Sequence, residues 1–319
     1  MTITQKLMQI VGERVLENEP MSKHTNFRIG GRAKWFVEVR SIDELRATRS
    51  VATENGMKFV IVGGGSNILV NDNGFDGIVI QIAMRAYEIR GTNIKAQAGV
   101  LSSALARATA AVGLKGLEWA GALPGTVGGA VRGNAGCFGG QMGDFVESVE
   151  VLRGADIVEI PKNELSFGYR DSIFKHNNDI ILSVSFELQE GNAEELKMIL
   201  DDVLMKRKAQ QPLGASSAGC LLKNVDVSDE ELAKLGTKLD IPEQMISSHR
   251  IAAGWLVEEL GLKGVKIGGA QVSDLHGNFI LNNGTATADN IVQLASLIKT
   301  RARDEYGIML EEEIEYVGF

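Results

Sequence analysis

The chain has 319 residues, of which 44% are hydrophobic and 23% charged, which is typical of a globular protein with two or three domains. A formal net charge of -8 argues against a nucleic-acid partner, because contacts to phosphate backbones draw mainly on Lys and Arg. The start of the chain lacks the apolar core of a signal peptide, and no run approaches the ~20 apolar residues that span a bilayer. We therefore expect a cytoplasmic protein without membrane insertion.

The numbers of cysteines, histidines and glycines further restrict the class of protein that we expect. Cys137 and Cys220 are too few for a disulfide framework, so we expect reduced thiols. The four histidines are scattered and show no metal-binding spacing, so we expect no metal site. The 37 glycines exceed the average usage of about 7%, and such an excess favours tight turns and close approaches of the backbone to a ligand.

The first 85 residues predict a strand–helix–strand unit. Ser41 and Glu44 form the pattern of a capping box, and Gly56 marks the end of the helix that follows. Strands are predicted at 35–40, 58–62 and 77–82. The apolar strand at 58–62 is expected to be buried and runs directly into a glycine turn.

The next hundred residues predict strands around a long glycine-rich stretch. A strand at 94–99 and a helix near 101–113 precede residues 116–143, which contain ten glycines. This stretch is too apolar for a disordered linker and too rich in glycine for a helix, and an ordered loop of such length is usually functional. The strands predicted after it cover 146–153, 156–160 and 179–188.

Helices dominate the last third of the chain. Helices are predicted at 193–208, 248–260 and 288–305, the last with Thr287 as its N-cap. The C-terminal tail predicts a strand. The change in character near residue 190 predicts a domain boundary.

The glycine turn after the strand at 58–62 is the first candidate binding feature. Gly63, Gly64 and Gly65 lack side chains, so their N–H groups could converge on phosphate oxygens together with Ser66 and Asn67. The segment is not a G-x-G-x-x-G fingerprint, and the residues after it predict an extended strand, so a Rossmann fold is disfavoured. A tight turn without a ligand is the open alternative.

A second set of unobstructed backbone groups lies at 124–136, with the sequence PGTVGGAVRGNAG. Two separated glycine stretches that approach one ligand would suit a long molecule such as a dinucleotide. The alternative is that both are irregular connections.

Three side chains could carry chemistry. Arg170 stands beside Tyr169 and could clamp a carboxylate or phosphate, although a lone arginine is usually a surface residue. Cys220 follows a turn of small residues and could be a proton donor, a nucleophile or a buried inert thiol. Glu313 lies in a run of three acidic residues, which on the sequence pattern alone would be a solvated acidic edge.

Seven stretches in chain order resemble the family of UDP-N-acetylenolpyruvoylglucosamine reductases, also called UDP-N-acetylmuramate dehydrogenases. Together they extend over nearly the whole chain, and seven collinear blocks are far more specific than any one glycine loop. The stretches are NFRIGGRA (26–33), VGGGSNILV (62–70), GLEWAGALPGTVGGAVRGNAG (116–136), GYRDSIFK (168–175), SAGCLLKN (217–224), AAGWLVEELGLKGVKIGGAQVS (252–273) and LEEEIEYVG (310–318).

The resemblance implies an α+β fold class: a two-subdomain FAD-binding fold of the vanillyl-alcohol oxidase (PCMH) type plus an α+β substrate-binding domain. The FAD-binding subdomains would cover 1–85 and 86–190, the substrate domain would cover 191–313, and a strand at 314–319 could return to the first subdomain. FAD would be bound noncovalently by three segments: Arg28 and Gly30; Gly63, Gly64, Gly65, Ser66 and Asn67; and Pro124, Gly125, Thr126, Gly128, Gly129 and Ala130.

The implied reaction has two halves at one site. A hydride passes from the co-substrate NADPH to FAD, and then from FAD to C3 of the enolpyruvyl ether of UDP-N-acetylglucosamine. Protonation at C2 completes UDP-N-acetylmuramate, a precursor of peptidoglycan. The family's catalytic positions correspond to Arg170, Cys220 and Glu313, where Arg170 and Glu313 would stabilise developing charge and Cys220 would supply the proton. The commonest family pattern has serine at the position of Cys220, and a thiol is the stronger acid by several pK units.

The resemblance implies further contacts and leaves one enzymatic alternative open. Candidates for binding the substrate are Tyr169, Lys223, Asn224 and Asn278, although Asn278 could equally be a turn asparagine before a strand. The chain matches the shorter form of the family, without the tyrosine-bearing insertion, and is expected to be a monomer or a weak homo-oligomer. The alternative is another FAD-dependent oxidoreductase of the same fold that acts on a hydroxy acid or an alcohol.

Overall fold

The computed structural model describes residues 1–212 and 214–319 and contains helices and strands along the whole chain. The α-helices are α1 (Ile3–Val11), α2 (Ile42–Glu54), α3 (Ser102–Ala111), α4 (Val127–Arg132), α5 (Ala193–Gln210), α6 (Asp229–Gly236), α7 (Glu243–Ser248), α8 (Ala253–Glu259) and α9 (Ala288–Tyr306). The strands are β1 (Val15–Pro20), β2 (Arg32–Val39), β3 (Lys58–Val62), β4 (Ile68–Val70), β5 (Phe75–Ile82), β6 (Tyr87–Arg90), β7 (Asn93–Gln97), β8 (Leu114–Lys115), β9 (Gly136–Cys137), β10 (Gly140–Gln141), β11 (Val146–Arg153), β12 (Asp156–Pro161), β13 (Ile180–Glu187), β14 (Gln189–Glu190), β15 (Val225–Asp226), β16 (Arg250–Ile251), β17 (Lys266–Ile267), β18 (Ala270–Val272), β19 (Ile280–Asn282) and β20 (Glu315–Val317).

The chain folds into two compact units, each built from several segments. The larger unit comprises Met1–Glu19, Ala33–Gly65 and Phe75–Ala209. The smaller unit comprises Pro20–Arg32, Ser66–Gly74 and Gln210–Phe319. The domain boundaries predicted at 85 and 190 stay predictions.

A four-stranded sheet in the larger unit has the order β1-β2-β5-β3, with β5 parallel to both β2 and β3. Ile78, Val79 and Ile80 of β5 are fully buried, as expected for a central parallel strand that is covered on both faces. The strand predicted at 58–62 is confirmed as β3. Its predicted burial was wrong: β3 is an edge strand, and only Val62 is buried.

The larger unit also contains a five-stranded sheet in the order β12-β11-β13-β7-β6, with every neighbouring pair antiparallel. Val149 of β11 lies opposite Val184 of β13, and both side chains are fully buried. Apolar residues of this sheet, of the four-stranded sheet and of α3 and α4 belong to one hydrophobic core. A single core of this size supplies most of the stability, because apolar burial is the dominant favourable term in folding.

The smaller unit has its own core around the sheet β17-β18-β19 and helices α6, α8 and α9. The last strand, β20, pairs in parallel with β4, and Glu315 lies opposite Ile68. Because β4 begins three residues after Gly65, the C-terminal strand lies beside the segment that leaves the glycine turn. Both units combine helices and sheets, which agrees with the predicted α+β class.

Two helix predictions need correction. The helix predicted at 248–260 is interrupted, because α7 ends at Ser248 and His249 adopts a left-handed φ of 51° before β16 and α8. The stretch 116–143 is not free of helix, since it contains α4 and a 3-10 turn at Glu118–Ala122. Glycine disfavours a helix by about 1 kcal/mol per residue. Burial of Val127 and Val131 in the larger core offsets that cost.

Helices α1 and α6 were not predicted, although each begins with a capping box, on Thr2 and Ser228 respectively. Helix α9 was predicted correctly, with its N-cap on Thr287. None of the described helices combines the length and apolar character needed to cross a bilayer. Among the described residues, no group of three or more His, Cys, Asp or Glu side chains could hold a metal ion.

Helix α2 begins with an ion pair that differs from the predicted capping box. Ser41 Oγ accepts from Glu44 N as expected, whereas the Glu44 carboxylate accepts from Arg14 Nη1 and Nη2 at 2.8 and 2.6 Å and from Arg40 N at 2.7 Å. The hydrogen bonds from Arg14, followed by the backbone N–H of Arg40, outweigh burial and hold the pKa of Glu44 below its usual value. The carboxylate thus ties the start of α2 to the segment before β1.

We predict that Glu44→Gln lowers the free energy of unfolding by about 1 kcal/mol at neutral pH, because partly exposed ion pairs contribute little more. A lowered native pKa stabilises the fold above the unfolded-state pKa, and the benefit is lost as the pH falls through the native value. Urea unfolding of both proteins at neutral and acidic pH checks this. The difference between them should shrink as the pH falls below the ordinary range of Glu; an unchanged difference in acid would contradict the assignment.

Candidate functional site

The glycine turn after β3 lies against the second glycine stretch within the larger unit. A Cβ added at Gly63 would lie 2.5 Å from Thr126 Oγ1, and one added at Gly64 would lie 3.0 Å from Gly125 Cα. Real Cβ atoms essentially never come closer than 3.0 Å to another atom, and a contact of 3.0 Å is tighter than nine in ten of theirs. The two stretches that the sequence singled out are therefore neighbours, and a side chain at Gly63 or Gly64 would require one of them to shift.

The amides of this turn are available to a ligand. Outside the β ladders, the N–H groups of Gly64 and Gly65 donate to no backbone acceptor in the part of the chain that the structure describes. Gly65 has a φ of 66°, a conformation that glycine adopts without strain. Successive backbone N–H groups without side chains form a concavity that suits phosphate oxygens. The turn thus fits the diphosphate of a dinucleotide.

The stretch at 124–130 is itself held in place by backbone pairing. Val127 N donates to Val100 O at 2.8 Å and Gly128 N donates to Ala98 O at 2.9 Å. A Cβ at Gly128 would lie 2.8 Å from Ala98 Cβ. Gly128 therefore has a packing role, and its amide is already used by the fold.

In the smaller unit, Arg28 and Gly30 lie on an irregular segment before β2. Arg28 has a φ of 54°, and its N–H donates to Thr25 O at 3.0 Å. Gly30 has a φ of 134°, and an added Cβ would lie 2.8 Å from Val70 Cβ of β4. Glycine is thus required at position 30 by its packing against β4. The predicted FAD contacts of both residues stay predictions.

Arg170 lies at the tip of a tight turn in the larger unit. Gly168 N donates to Asp171 O at 3.0 Å, and Asp171 N donates back to Gly168 O at 3.3 Å. The Arg170 guanidinium lies 5.3 Å from the centre of the Tyr169 ring, and its Nη2 donates to Gly136 O at 2.7 Å. The side chain is therefore directed toward the start of the strand β9, at the last residue of the second glycine stretch.

Cys220 and Glu313 lie on adjacent segments of the smaller unit. Leu222 and Glu312 form an antiparallel bridge, and Glu313 N donates to Leu221 O at 2.8 Å. Asn67 anchors the Glu313 segment: its Nδ2 donates to Glu313 O at 3.1 Å. Asn67, predicted as a cofactor contact, therefore also fixes the backbone of a predicted catalytic residue.

The acidic run at Glu311–Glu313 is not a uniform solvated edge. Glu311 forms an ion pair with Lys223 at 3.1 Å, and Glu312 forms one with Lys299 at 2.9 Å. Glu312 is also the second cause, after burial, that raises the pKa of Tyr316 to about 12. Two of the three carboxylates thus have lysine partners.

The remaining predicted substrate residues have structural partners in the smaller unit. Asn224 Oδ1 accepts from Ala253 N at 3.1 Å, at the start of α8. Asn278 is only 3% exposed; its Nδ2 donates to Leu222 O at 2.7 Å and its Oδ1 accepts from Leu222 N at 2.9 Å. The amide of Asn278 is therefore engaged on the backbone two residues after Cys220. Its predicted contact with the substrate stays a prediction.

Sequence reasoning missed two residues that flank the Arg170 turn. Asn134 Nδ2 donates to Gly168 O at 2.8 Å, and Ser172 Oγ donates to Arg132 O at 2.7 Å. The one available signal was that Asn134 is the sole asparagine in the glycine-rich stretch 116–143. No local pattern identifies its partner, which lies more than thirty residues away.

Comparisons with known proteins identify the class and then the family. The FAD binding domain matches residues 33–157, and the C-terminal domain of UDP-N-acetylenolpyruvoylglucosamine reductase matches residues 211–317. The first match contains the glycine turn and the whole of the second glycine stretch, and the second contains Cys220 and Glu313. The protein is therefore an FAD-dependent oxidoreductase.

Relatives cover nearly the whole chain. The chain is 39% identical to the UDP-N-acetylenolpyruvoylglucosamine reductase of Clostridioides difficile (96% of this chain, 94% of the relative) and 36% identical to that of Thermotoga maritima (93% and 96%). The crystal structure of the reductase from Thermus caldophilus is similar with a TM-score of 0.74 at 32% identity, covering 94% of this chain and 97% of that one. The chain belongs to the UDP-N-acetylenolpyruvoylglucosamine reductase family. The predicted fold class is confirmed.

We predict that Gly64→Ala strongly lowers the affinity for FAD, because the new methyl group would meet the backbone of Gly125. Gly236→Ala is the matched control, since nothing lies within 4 Å of an added Cβ there. Fluorescence titration of the apoproteins with FAD measures the effect. A loss of about tenfold or more is expected for Gly64→Ala only; equal affinities in the two variants would contradict the placement of the cofactor.

Proposed function

We propose that the chain catalyses the NADPH-dependent reduction of UDP-N-acetylglucosamine enolpyruvate to UDP-N-acetylmuramate, in the cytoplasm, for peptidoglycan synthesis. The observation that carries this proposal is the similarity to named reductases over 96% of the chain, with both the FAD-binding and the C-terminal family domains in one polypeptide. FAD is bound noncovalently along the glycine turn and the stretch at 124–130. When bound, FAD accepts a hydride from NADPH and transfers it to C3 of the enolpyruvyl group.

Arg170 binds the carboxylate of the enolpyruvyl group. Hydride addition at C3 pushes an electron pair through C2 into that carboxylate, and a guanidinium offers paired N–H donors to such a group. The hydrogen bond to Gly136 O fixes the orientation of Arg170 before substrate arrives. A preorganised donor stabilises developing charge more effectively than one that must reorient during the reaction.

Glu313 and Cys220 complete the reduction. Glu313, in its protonated form, donates a hydrogen bond to the enediolate-like intermediate. Cys220 supplies the proton that C2 needs, so that one hydride and one proton together convert the double bond into the lactyl ether. The pairing of Leu221 with Glu313 keeps the two segments in register. Lys223 is the candidate for binding the uridine diphosphate, and its partner Glu311 would have to release it.

We predict that the purified protein oxidises NADPH rapidly when supplied with UDP-N-acetylglucosamine enolpyruvate and not when supplied with simple hydroxy acids. NADPH absorbance measures the rate, with UDP-N-acetylglucosamine as the control nucleotide that lacks the vinyl ether. Turnover of an alcohol or a hydroxy acid without turnover of the enolpyruvyl nucleotide would favour the alternative oxidoreductase.

We predict that Cys220→Ser stays active and that Cys220→Ala fails after the cofactor has been reduced, because removal of a general acid typically costs about 10² to 10⁴ in rate. Rapid-mixing spectroscopy separates reduction by NADPH from reoxidation by the enolpyruvyl nucleotide. Cys137→Ala, which removes the other thiol of the chain, is the control. Normal reoxidation in Cys220→Ala would remove this thiol from the mechanism.

A further inference from the structure

The turn that carries Arg170 is conformationally demanding. Arg170 has a φ of 56°, in the left-handed region that disfavours residues with side chains. Such a conformation persists only when the surrounding structure determines it. The hydrogen bonds between Gly168 and Asp171 close the turn but do not fix its direction relative to the rest of the unit. Contacts outside the turn must do that.

Asn134 makes these contacts from the second glycine stretch. The residue is 1% exposed, and its side chain bonds to three residues on two segments. Nδ2 donates to Gly168 O at 2.8 Å and to Gln141 Oε1 at 3.2 Å, while Oδ1 accepts from Gly143 N at 2.9 Å. One amide thus joins the Arg170 turn to β10 and the residues that follow it.

The β9–β10 hairpin also holds the guanidinium of Arg170, because Arg170 Nη2 donates to Gly136 O. Asn134 therefore fixes the backbone of the Arg170 turn, and Gly136, two residues after Asn134, fixes the Arg170 guanidinium. On the other flank of the turn, Ser172 is fully buried and its Oγ donates to Arg132 O, the last residue of α4. Hydrogen bonds on both sides of the Arg170 turn therefore connect it to Arg132 at the end of α4 and to Asn134 just after it. Helix α4 begins within the predicted FAD-binding stretch.

We propose that Asn134 is a positioning residue for Arg170, setting the distance between its guanidinium and the enolpyruvyl carboxylate. This inference rests on the proposed function, since it assigns Arg170 to that carboxylate. A misplacement of about 1 Å in a reacting group can cost on the order of 10² in rate. The amide acts only through Arg170, so its loss affects the step that uses Arg170 and leaves the reaction with NADPH unchanged.

Asn134→Asp isolates this function of the amide. Asp has the same shape, tolerates the left-handed φ of 40° found at this position and keeps an oxygen that accepts from Gly143 N. It loses both N–H donors and places an oxygen against Gly168 O. Asn134→Gly is the second variant in case the buried carboxylate prevents folding, because glycine also adopts this conformation. Asn55→Asp is the matched control: its amide donates to Val51 O at the end of α2, away from the glycine stretches.

The experiment uses the FAD-loaded enzymes and measures the two half-reactions separately. For Asn134→Asp and Asn134→Gly we expect reduction by NADPH within about twofold of wild type and reoxidation by the enolpyruvyl nucleotide slowed by about 30- to 100-fold. Asn55→Asp should match wild type in both. Equal loss in both half-reactions, or no loss in either, would overturn the proposal.

Combining Asn134→Asp with Arg170→Lys distinguishes a positioning role of Asn134 from a merely structural role. If Asn134 acts through Arg170, the two substitutions are not additive, and Asn134→Asp has little further effect on reoxidation once Arg170 is replaced. Full additivity would overturn the proposal.

Hydrogen exchange of the peptide that spans 165–175 gives a readout independent of activity. We expect faster exchange in Asn134→Asp and unchanged exchange in Asn55→Asp; unchanged exchange in both would also overturn the proposal. A wild-type enzyme that is not reoxidised by the enolpyruvyl nucleotide would instead refute the proposed function, and the exchange experiment would still decide whether Asn134 holds the turn.

Discussion

The close approach of two glycine stretches is the constraint on which the proposed cofactor site depends. An added Cβ at Gly64 would lie 3.0 Å from the Cα of Gly125, so a side chain at Gly64 would force one of the two backbones to shift. The surface that the proposed site offers to an anionic cofactor therefore includes backbone amide dipoles. A chain with a net charge of -8 can bind a dinucleotide in this way, because oriented N–H groups supply local positive potential without adding cations.

Buried asparagines hold the segments that carry the proposed catalytic residues. Asn134 bonds to Gly168 beside Arg170, and Asn278 bonds to both backbone groups of Leu222, two residues after Cys220. An asparagine amide suits this task because it donates and accepts at once and can close a local hydrogen-bond network without bringing in a charge. Asn67, which is partly buried, holds the Glu313 segment by donating to the Glu313 carbonyl. Supported in this way, a catalytic group starts each turnover from one orientation.

The sequence predicted helices and strands correctly where neighbouring residues determine them. Thr287 caps α9 and the strand at 58–62 exists, because caps and apolar runs act within a few residues. The burial of that strand was misjudged because its edge position depends on which strands pair, which no local pattern contains. Helix α4 was missed because the packing of Val127 and Val131 in a distant core overrides the low helix propensity of its glycines.

The residues of the candidate site likewise fall into those that the sequence identifies and those that depend on distant partners. The residue pattern and the family resemblance singled out the glycine stretches, Arg170, Cys220 and Glu313 as candidates. Neither assigned a role to Asn134, whose partner Gly168 lies 34 residues away. One anaerobic titration of the purified protein tests the proposed reaction most directly. We expect a yellow protein whose absorbance is bleached by about one equivalent of NADPH and restored by about one equivalent of UDP-N-acetylglucosamine enolpyruvate, with UDP-N-acetylmuramate formed. A colourless protein that does not take up added FAD would contradict the proposed function.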